Sequence, residues 1–372
     1  MKRKILTLTG VVIILIIGVT IGIFYKKAQE TSPPPNFQNS VSNNIQNRDQ
    51  STPTDTRPGR DCVSNAQPIF THDFTDLSQI EKIAPLGGVG GGSPGRSYVT
   101  IKEGKVPVYA PMDATLETIV YARRGGAETP GEYGLYFRAS CEVTFLLDHI
   151  DEVVDKIKAL APKDPAASSA TQYGTAPQAK IKAGELLGYS DGTPLAHTFD
   201  FLVESTEAET EHINPVRWTW NQTTNAVCPY DLYAKELKDK YFSLLRERDA
   251  TNNYVPAKSC GSPSQDAAGT LSGGWFQGAA NNMQGKWLAL GQMFSWSEAA
   301  MRENGNFVFS LRDYGKKPKP DEIKVGQSVC YQGYANNWIW LNLFSETQMK
   351  AAMGQGTCPA DFPEAKAETW ER

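Results

Sequence analysis

The chain has 372 residues, with 37 Lys or Arg against 41 Asp or Glu and a formal net charge of -4 at pH 7. That length accommodates two ordinary domains, and the slightly acidic balance gives no electrostatic basis for nucleic-acid binding, which relies on basic patches. None of the 6 cysteines (Cys62, Cys141, Cys228, Cys260, Cys330 and Cys358) is spaced as CxxC. This argues against a zinc ribbon or dithiol redox motif and fits an oxidising compartment in which disulfides persist.

Residues 5–25 form an uncharged apolar run about long enough to span a bilayer. Lys2, Arg3 and Lys4 precede it, and Lys26-Lys27 follows in place of a small-residue cleavage site. The pattern predicts an anchor over residues 1–27, and so a single-pass cell-membrane protein with its C-terminal region extracytoplasmic; a cleaved signal peptide is the alternative. Residues 28–60 are rich in Ser, Thr, Pro, Asn and Gln, with Pro33-Pro34-Pro35. Such a segment buries too little apolar surface to offset its ordering entropy and reads as a disordered linker.

From Pro68 to Leu86 the chain condenses, with Ile69, Phe70, Phe74, Leu77, Ile80 and Ile83 as candidate core and His72 as a turn or cap residue. The glycine-rich run Gly87 to Gly95 leads into the β-like Tyr98-Val99-Thr100-Ile101 without the Lys-Ser/Thr of a P-loop, so it reads as a loop over a groove. Strands are predicted at Val106 to Ala110, Thr115 to Tyr121, Tyr133 to Ala139 and Val143 to Leu147. Ile150, Val153, Val154, Ile157 and Leu160 then recur at helical spacing, which predicts a helix over 148–160 with Asp148 at its N-terminal edge. Lys182-Ala183-Gly184 and Ser190 to Pro194 are turns around a strand at Glu185 to Tyr189. The strand from His197 to Glu204 alternates, sending Phe199, Phe201 and Val203 into a core and Thr198 and Asp200 to the opposite face, with His197 at its start.

Beyond Glu211, Leu232, Leu237, Tyr241, Leu244 and Leu245 predict an amphipathic helix within Pro229 to Arg248. Aromatic runs around Trp275, Trp287, Trp296 and Trp338 to Phe344, separated by Gly and Asn, predict a small antiparallel sheet or barrel. Cys228 and Cys260 bracket the helix and Cys330 and Cys358 the last strands, so these are the predicted pairs; Cys62 with Cys141 follows by elimination.

Three blocks resemble one family. Lys182-Ala183-Gly184-Glu185-Leu186-Leu187-Gly188 followed by Thr198-Phe199-Asp200-Phe201-Leu202-Val203, the upstream Val106-Pro107-Val108-Tyr109-Ala110-Pro111, and Thr144 to Ile150 between them resemble the lysostaphin-type (LytM-like) zinc endopeptidases, which cut peptidoglycan cross-bridges. The resemblance implies a duplicated hybrid motif, a mainly β fold of antiparallel sheets. The family's metal site is incomplete here. Residues 87–101 hold neither the His nor the Asp of its first ligand segment, Asp200 stands at a ligand position, Thr198 at a catalytic-base position, and His149 alone keeps the family residue type. A catalytic zinc needs about three protein ligands and one open position.

The resulting expectation is an endopeptidase-like domain at 61–211 and a disulfide-stapled β-rich α+β domain at 212–372. The first reads as a pseudoenzyme, with His149 either a catalytic remnant or a neighbour of the helix cap at Asp148, His197, Thr198 and Asp200 lining a groove, and no cofactor or metal expected. Its partner would be peptidoglycan or a cell-envelope protein. The alternatives are an active zinc hydrolase, with Asp200 and ligands drawn from His72, His149, His197 or His212, and a structural or carbohydrate-binding surface protein.

Overall fold

A computed structural model describes residues 62–87, 95–102, 104–123, 129–167, 175–194, 196–208, 210–219, 221–249, 253–282, 284–293, 296–303, 306–307, 317–333 and 336–372. The expected anchor (1–27), the linker (28–60) and most of the glycine-rich loop lie outside these residues. Among the described residues no helix is long and apolar enough to cross a membrane. The longest has 10 residues, roughly 15 Å against the roughly 30 Å of a bilayer core. The single-pass membrane localisation is corrected on that finding.

The first part of the chain forms β1 (Ile80–Ala84), β2 (Arg96–Ile101), β3 (Val106–Tyr109), β4 (Ala114–Arg123), β5 (Gly131–Arg138), β6 (Val143–Ile150), β7 (Glu152–Val153), the one-turn α1 (Asp155–Lys158), β8 (Ala179–Ile181), β9 (Leu186–Ser190), β10 (Thr198–Ser205), α2 (Asn221–Thr224) and β11 (Ala226–Val227). An antiparallel sheet runs in the order β1-β2-β10-β6-β5-β4-β8, with β11 on the end of β10, and a smaller sheet runs β3-β9-β7. The alternation in β10 acts as predicted, since Phe199, Phe201 and Val203 are fully buried in the core under the large sheet. Phe70, Phe74, Ile80 and Ile83 join that core, but Ile69 is 60% exposed. Its neighbour Phe70 takes the inward position, stacking at 6.0 Å from Phe201.

The helix expected over 148–160 is a correction. β6 continues to Ile150, β7 comes next, and only residues 155–158 turn helically. Ile150, Val153 and Ile157 are buried, but the first two reach the core from strands, because a short apolar segment fits either period.

The first core also extends past residue 211. Tyr230, Tyr233, Tyr241, Leu245 and Cys260 belong to it. Tyr230 and Tyr233 come from the segment leading into α3 (Lys235–Leu244), Tyr241 from the helix, and Leu245 and Cys260 from the chain beyond it. Tyr241 stacks on Phe74 at 5.3 Å and Tyr230 on Tyr241 at 5.1 Å. The Cys228–Cys260 disulfide closes this stretch, and Cys62–Cys141 ties the N-terminal segment to the β5–β6 turn.

After the short hairpin β12 (Arg246–Arg248) and β13 (Tyr254–Pro256), the remaining strands are β14 (Gly273–Phe276), β15 (Trp287–Met293), β16 (Trp296–Glu303), β17 (Asn306–Phe307), β18 (Ser328–Gln332), β19 (Asn337–Leu343), β20 (Gln348–Gln355) and β21 (Glu368–Glu371). They form one antiparallel sheet in the order β17-β16-β15-β14-β21-β20-β19-β18. Leu288 and Leu290 from one side share a core with Val329 and Tyr331 from the far edge and with Trp275 and Trp370 between them, so the sheet curls over one apolar face. The Cys330–Cys358 disulfide packs on the other face with Trp338 and Trp340. The described residues are therefore mainly β, dominated by two eight-stranded antiparallel sheets, each with a main core on one face.

Candidate functional site

On the face of the first sheet opposite its main core, the adjacent strands β2, β10, β6 and β5 bring Arg96, Asp200, Asp148, His149 and Glu132 together. Asp148 and Asp200 are register partners across β6 and β10, 1% and 3% exposed. Arg96 Nη1 donates to Asp148 Oδ2 at 2.6 Å and to Asp200 Oδ2 at 2.9 Å. Burial alone would lower the Arg96 pKa, but the pull of Asp148 and Asp200 outweighs it and holds the guanidinium well above its ordinary value. The arginine stays a cation, and the two carboxylates share it. Asp200 Oδ1 is buried without a hydrogen-bond partner.

A bulge explains why consecutive residues share this face. In the β5–β6 ladder Leu135 opposes Leu147 and Tyr133 opposes Ile150, with the register slipping between them. Asp148 and His149 therefore together face the one intervening residue, Gly134. His149 takes the left-handed conformation at φ 63, a strained geometry that the surrounding ladder must over-determine. Its Nδ1 lies 2.5 Å from Glu132 Oε2 and its Nε2 3.6 Å from Asp200 Oδ2. The main chain is pinned by Ser190 Oγ, which donates to the His149 carbonyl at 2.6 Å.

α2 covers the Arg96 end. Arg96 Nε donates to Gln222 Oε1 at 3.2 Å, and Gly95, just before β2, has so little room that a Cβ would stand 2.1 Å from the Gln222 carbonyl oxygen. Leu146, Leu202 and Ala226 form a small apolar cluster beside it. Glu204, further along β10, is pushed up in pKa by burial, against the pull of Arg96.

Asp148, His149 and Asp200 each offer one donor atom, all within 4.8 Å of one another, and two carboxylates with an imidazole are zinc-like donors. They do not fit a metal with Arg96 in place. The guanidinium already lies at hydrogen-bonding distance from both carboxylates, and a dication beside it would meet like charge in a poorly screened setting.

The other sequence candidates do not converge here. Thr198 is half-buried two residues along the same face, its Oγ1 3.3 Å from Thr193 Oγ1. His197 is exposed, at φ 49, with its backbone N–H donating to Thr193 O. His72 lies on the surface over Gly184, and His212 is buried against Trp218 at 4.3 Å and beside Asp266. Asp200 is thus a buried floor beneath Arg96 and not an exposed groove wall. Sequence reading passed over Arg96, Glu132 and the role of Asp148. The available signal was a single cation in β2, where the resembled family supplies metal ligands.

No protein-family description matches the chain, and no curated protein matches it. Among solved structures, the NMR solution structure of lysostaphin is similar at 13% identity and a TM-score of 0.26, over 63% of this chain and 84% of that one. A likeness this faint carries no argument about fold or activity.

Proposed function

We propose that the first sheet is a peptidase-like module that binds the peptide part of a cell-envelope polymer such as peptidoglycan without cutting it. The observation that carries this reading is Arg96 between Asp148 and Asp200. The resembled family uses a metal to polarise a carbonyl and activate a water, whereas a guanidinium fixed in two ion pairs balances the same carboxylates and offers no open coordination position. The three sequence blocks that resemble the family, in family order, support the polymer as partner. The three disulfides support an oxidising compartment.

A second reading, an active zinc hydrolase with atypical ligands, is favoured by the spacing of Asp148, His149 and Asp200. Incubating the purified protein with isolated peptidoglycan sacculi separates the two. The binding reading predicts co-sedimentation and no soluble fragments, with or without added zinc. Protein remaining in the supernatant at low and moderate salt removes the polymer as partner, and zinc-dependent release of fragments establishes the hydrolase.

A further inference from the structure

The segment between β10 and β11 is seated on both sheets. Trp218 packs edge-on against Phe276 at 5.7 Å and Trp287 at 6.2 Å, which seats residues 217–219 on the hairpin of β14 and β15. A few residues later α2 lies on the first sheet. There Gln222 Oε1 accepts from Arg96 Nε–H at 3.2 Å, and the Gln222 carbonyl leaves no room for a Cβ on Gly95. Whatever fixes α2 therefore also fixes the Nε side of Arg96.

Asn282, in the turn between β14 and β15, is 6% exposed and reaches that segment from the second sheet. Its backbone N–H donates to the Arg217 carbonyl at 2.9 Å, and its Oδ1 accepts from Thr219 N–H at 2.8 Å. A backbone N–H can only donate, so the side-chain amide is oriented with Nδ2 toward Thr223, whose Oγ1 accepts from it at 3.1 Å. Thr223 belongs to α2 and is 2% exposed, with its carbonyl 3.0 Å from His212 Nε2. Both ends of the Asn282–Thr223 bond are buried, so water does not replace it when it is lost. Thr223 is the neighbour of Gln222, and a shift of one moves the other.

We propose that Asn282 is a positioning residue for the Arg96 site. From the second sheet it holds Thr223, and with it α2, so that Gln222 meets Arg96 Nε–H while Asp148 and Asp200 take the Nη1 side. The site is then a product of both sheets, and its last support is the β14–β15 hairpin. This rests on the reading of the Arg96 face as the binding site, but the test reads Arg96 itself and stays independent of what that face binds.

The test follows the exchange of Arg96 Nε–H with water by ¹⁵N NMR on the whole protein. The resonance is assigned by its loss in Arg96→Lys or, if that variant does not fold, by its cross-peaks to the Arg96 backbone amide. Asn282→Ala and Thr223→Val each remove the bond, the second with almost no change of shape, whereas Thr223→Ser keeps it. The expected result is exchange quickened about tenfold in the first two variants, the equivalent of one buried hydrogen bond. In Thr223→Ser it should stay within about twofold of wild type, and the amides of β19 and β20, elsewhere in the second sheet, should keep their protection throughout. Unchanged Arg96 exchange in Thr223→Val overturns the proposal. So does equal quickening in Thr223→Ser, or a matching loss of protection in β19 and β20, which would mean a general loosening.

Discussion

Asp148 and Asp200 face each other as register partners across β6 and β10, and one nitrogen of Arg96 bonds to both, at 2.6 and 2.9 Å. Two buried carboxylates this close stay ionised together only beside a cation. In this chain the cation is covalently part of β2.

Arg96→Met should destabilise the protein by about 3–5 kcal/mol, the usual cost of leaving a buried charge without its partner. Asp200→Ala should also be clearly destabilising, since it removes one of the two carboxylates that hold the guanidinium. Urea unfolding at neutral pH measures both. Near-wild-type midpoints would mean that the cluster is not a coupled ion-pair network.

Gly95→Ala should destabilise by about 1–3 kcal/mol, the range for forced overpacking, because the new methyl meets the Gln222 carbonyl at 2.1 Å. The displaced α2 should expose the Arg96 end of the cluster, and amide exchange at residues 221–226 should quicken. Unchanged protection there would show that α2 is not a fixed cover.

Much of the architecture was legible in the sequence, and the parts that were not have identifiable causes. The period-two alternation of Phe199, Phe201 and Val203 marked β10 and its buried face. The cysteines bracketing the helical run marked a local staple, Cys228–Cys260, but not that the run would complete the first core through Tyr230 and Tyr241. The site itself was half hidden. Asp148 looks like a helix cap because the apolar spacing after it is helical, and the bulge that puts Asp148 and His149 on one face depends on the register of β5 against β6. The pairing of Arg96 with residues 52 and 104 positions away is a matter of strand order, which local pattern does not encode.

Loss of Cys62–Cys141 should cost more than loss of Cys228–Cys260. The sequence separations are 79 and 32, for which the chain-entropy argument gives about 4.5 and 3.7 kcal/mol. Paired Cys→Ser variants compared by denaturant midpoint and slope test this ordering. A reversed order would show that native packing around the bonds, and not loop closure, dominates.

His212 makes stability pH-dependent. Burial lowers its pKa from the ordinary 6.5, against the effect of its contacts with the Thr223 carbonyl and Asp266. Above that ordinary value the imidazole is neutral both folded and unfolded, and stability is at its full level. As the pH falls below it, the unfolded chain takes up the proton first, so stability declines until the folded pKa is reached. His212→Gln should flatten the decline between about pH 7 and pH 5, read from thermal midpoints across that window. An unchanged slope would assign it to other groups.

The central claim, that Arg96 serves in place of a metal, is tested most directly by elemental analysis of the folded protein after exposure to zinc and exhaustive dialysis. The account predicts well under one zinc per wild-type chain and an increase when Arg96 is replaced by Gly, which frees Asp148, His149 and Asp200 as ligands. One tightly held zinc per wild-type chain, lost in Asp200→Asn, would contradict it.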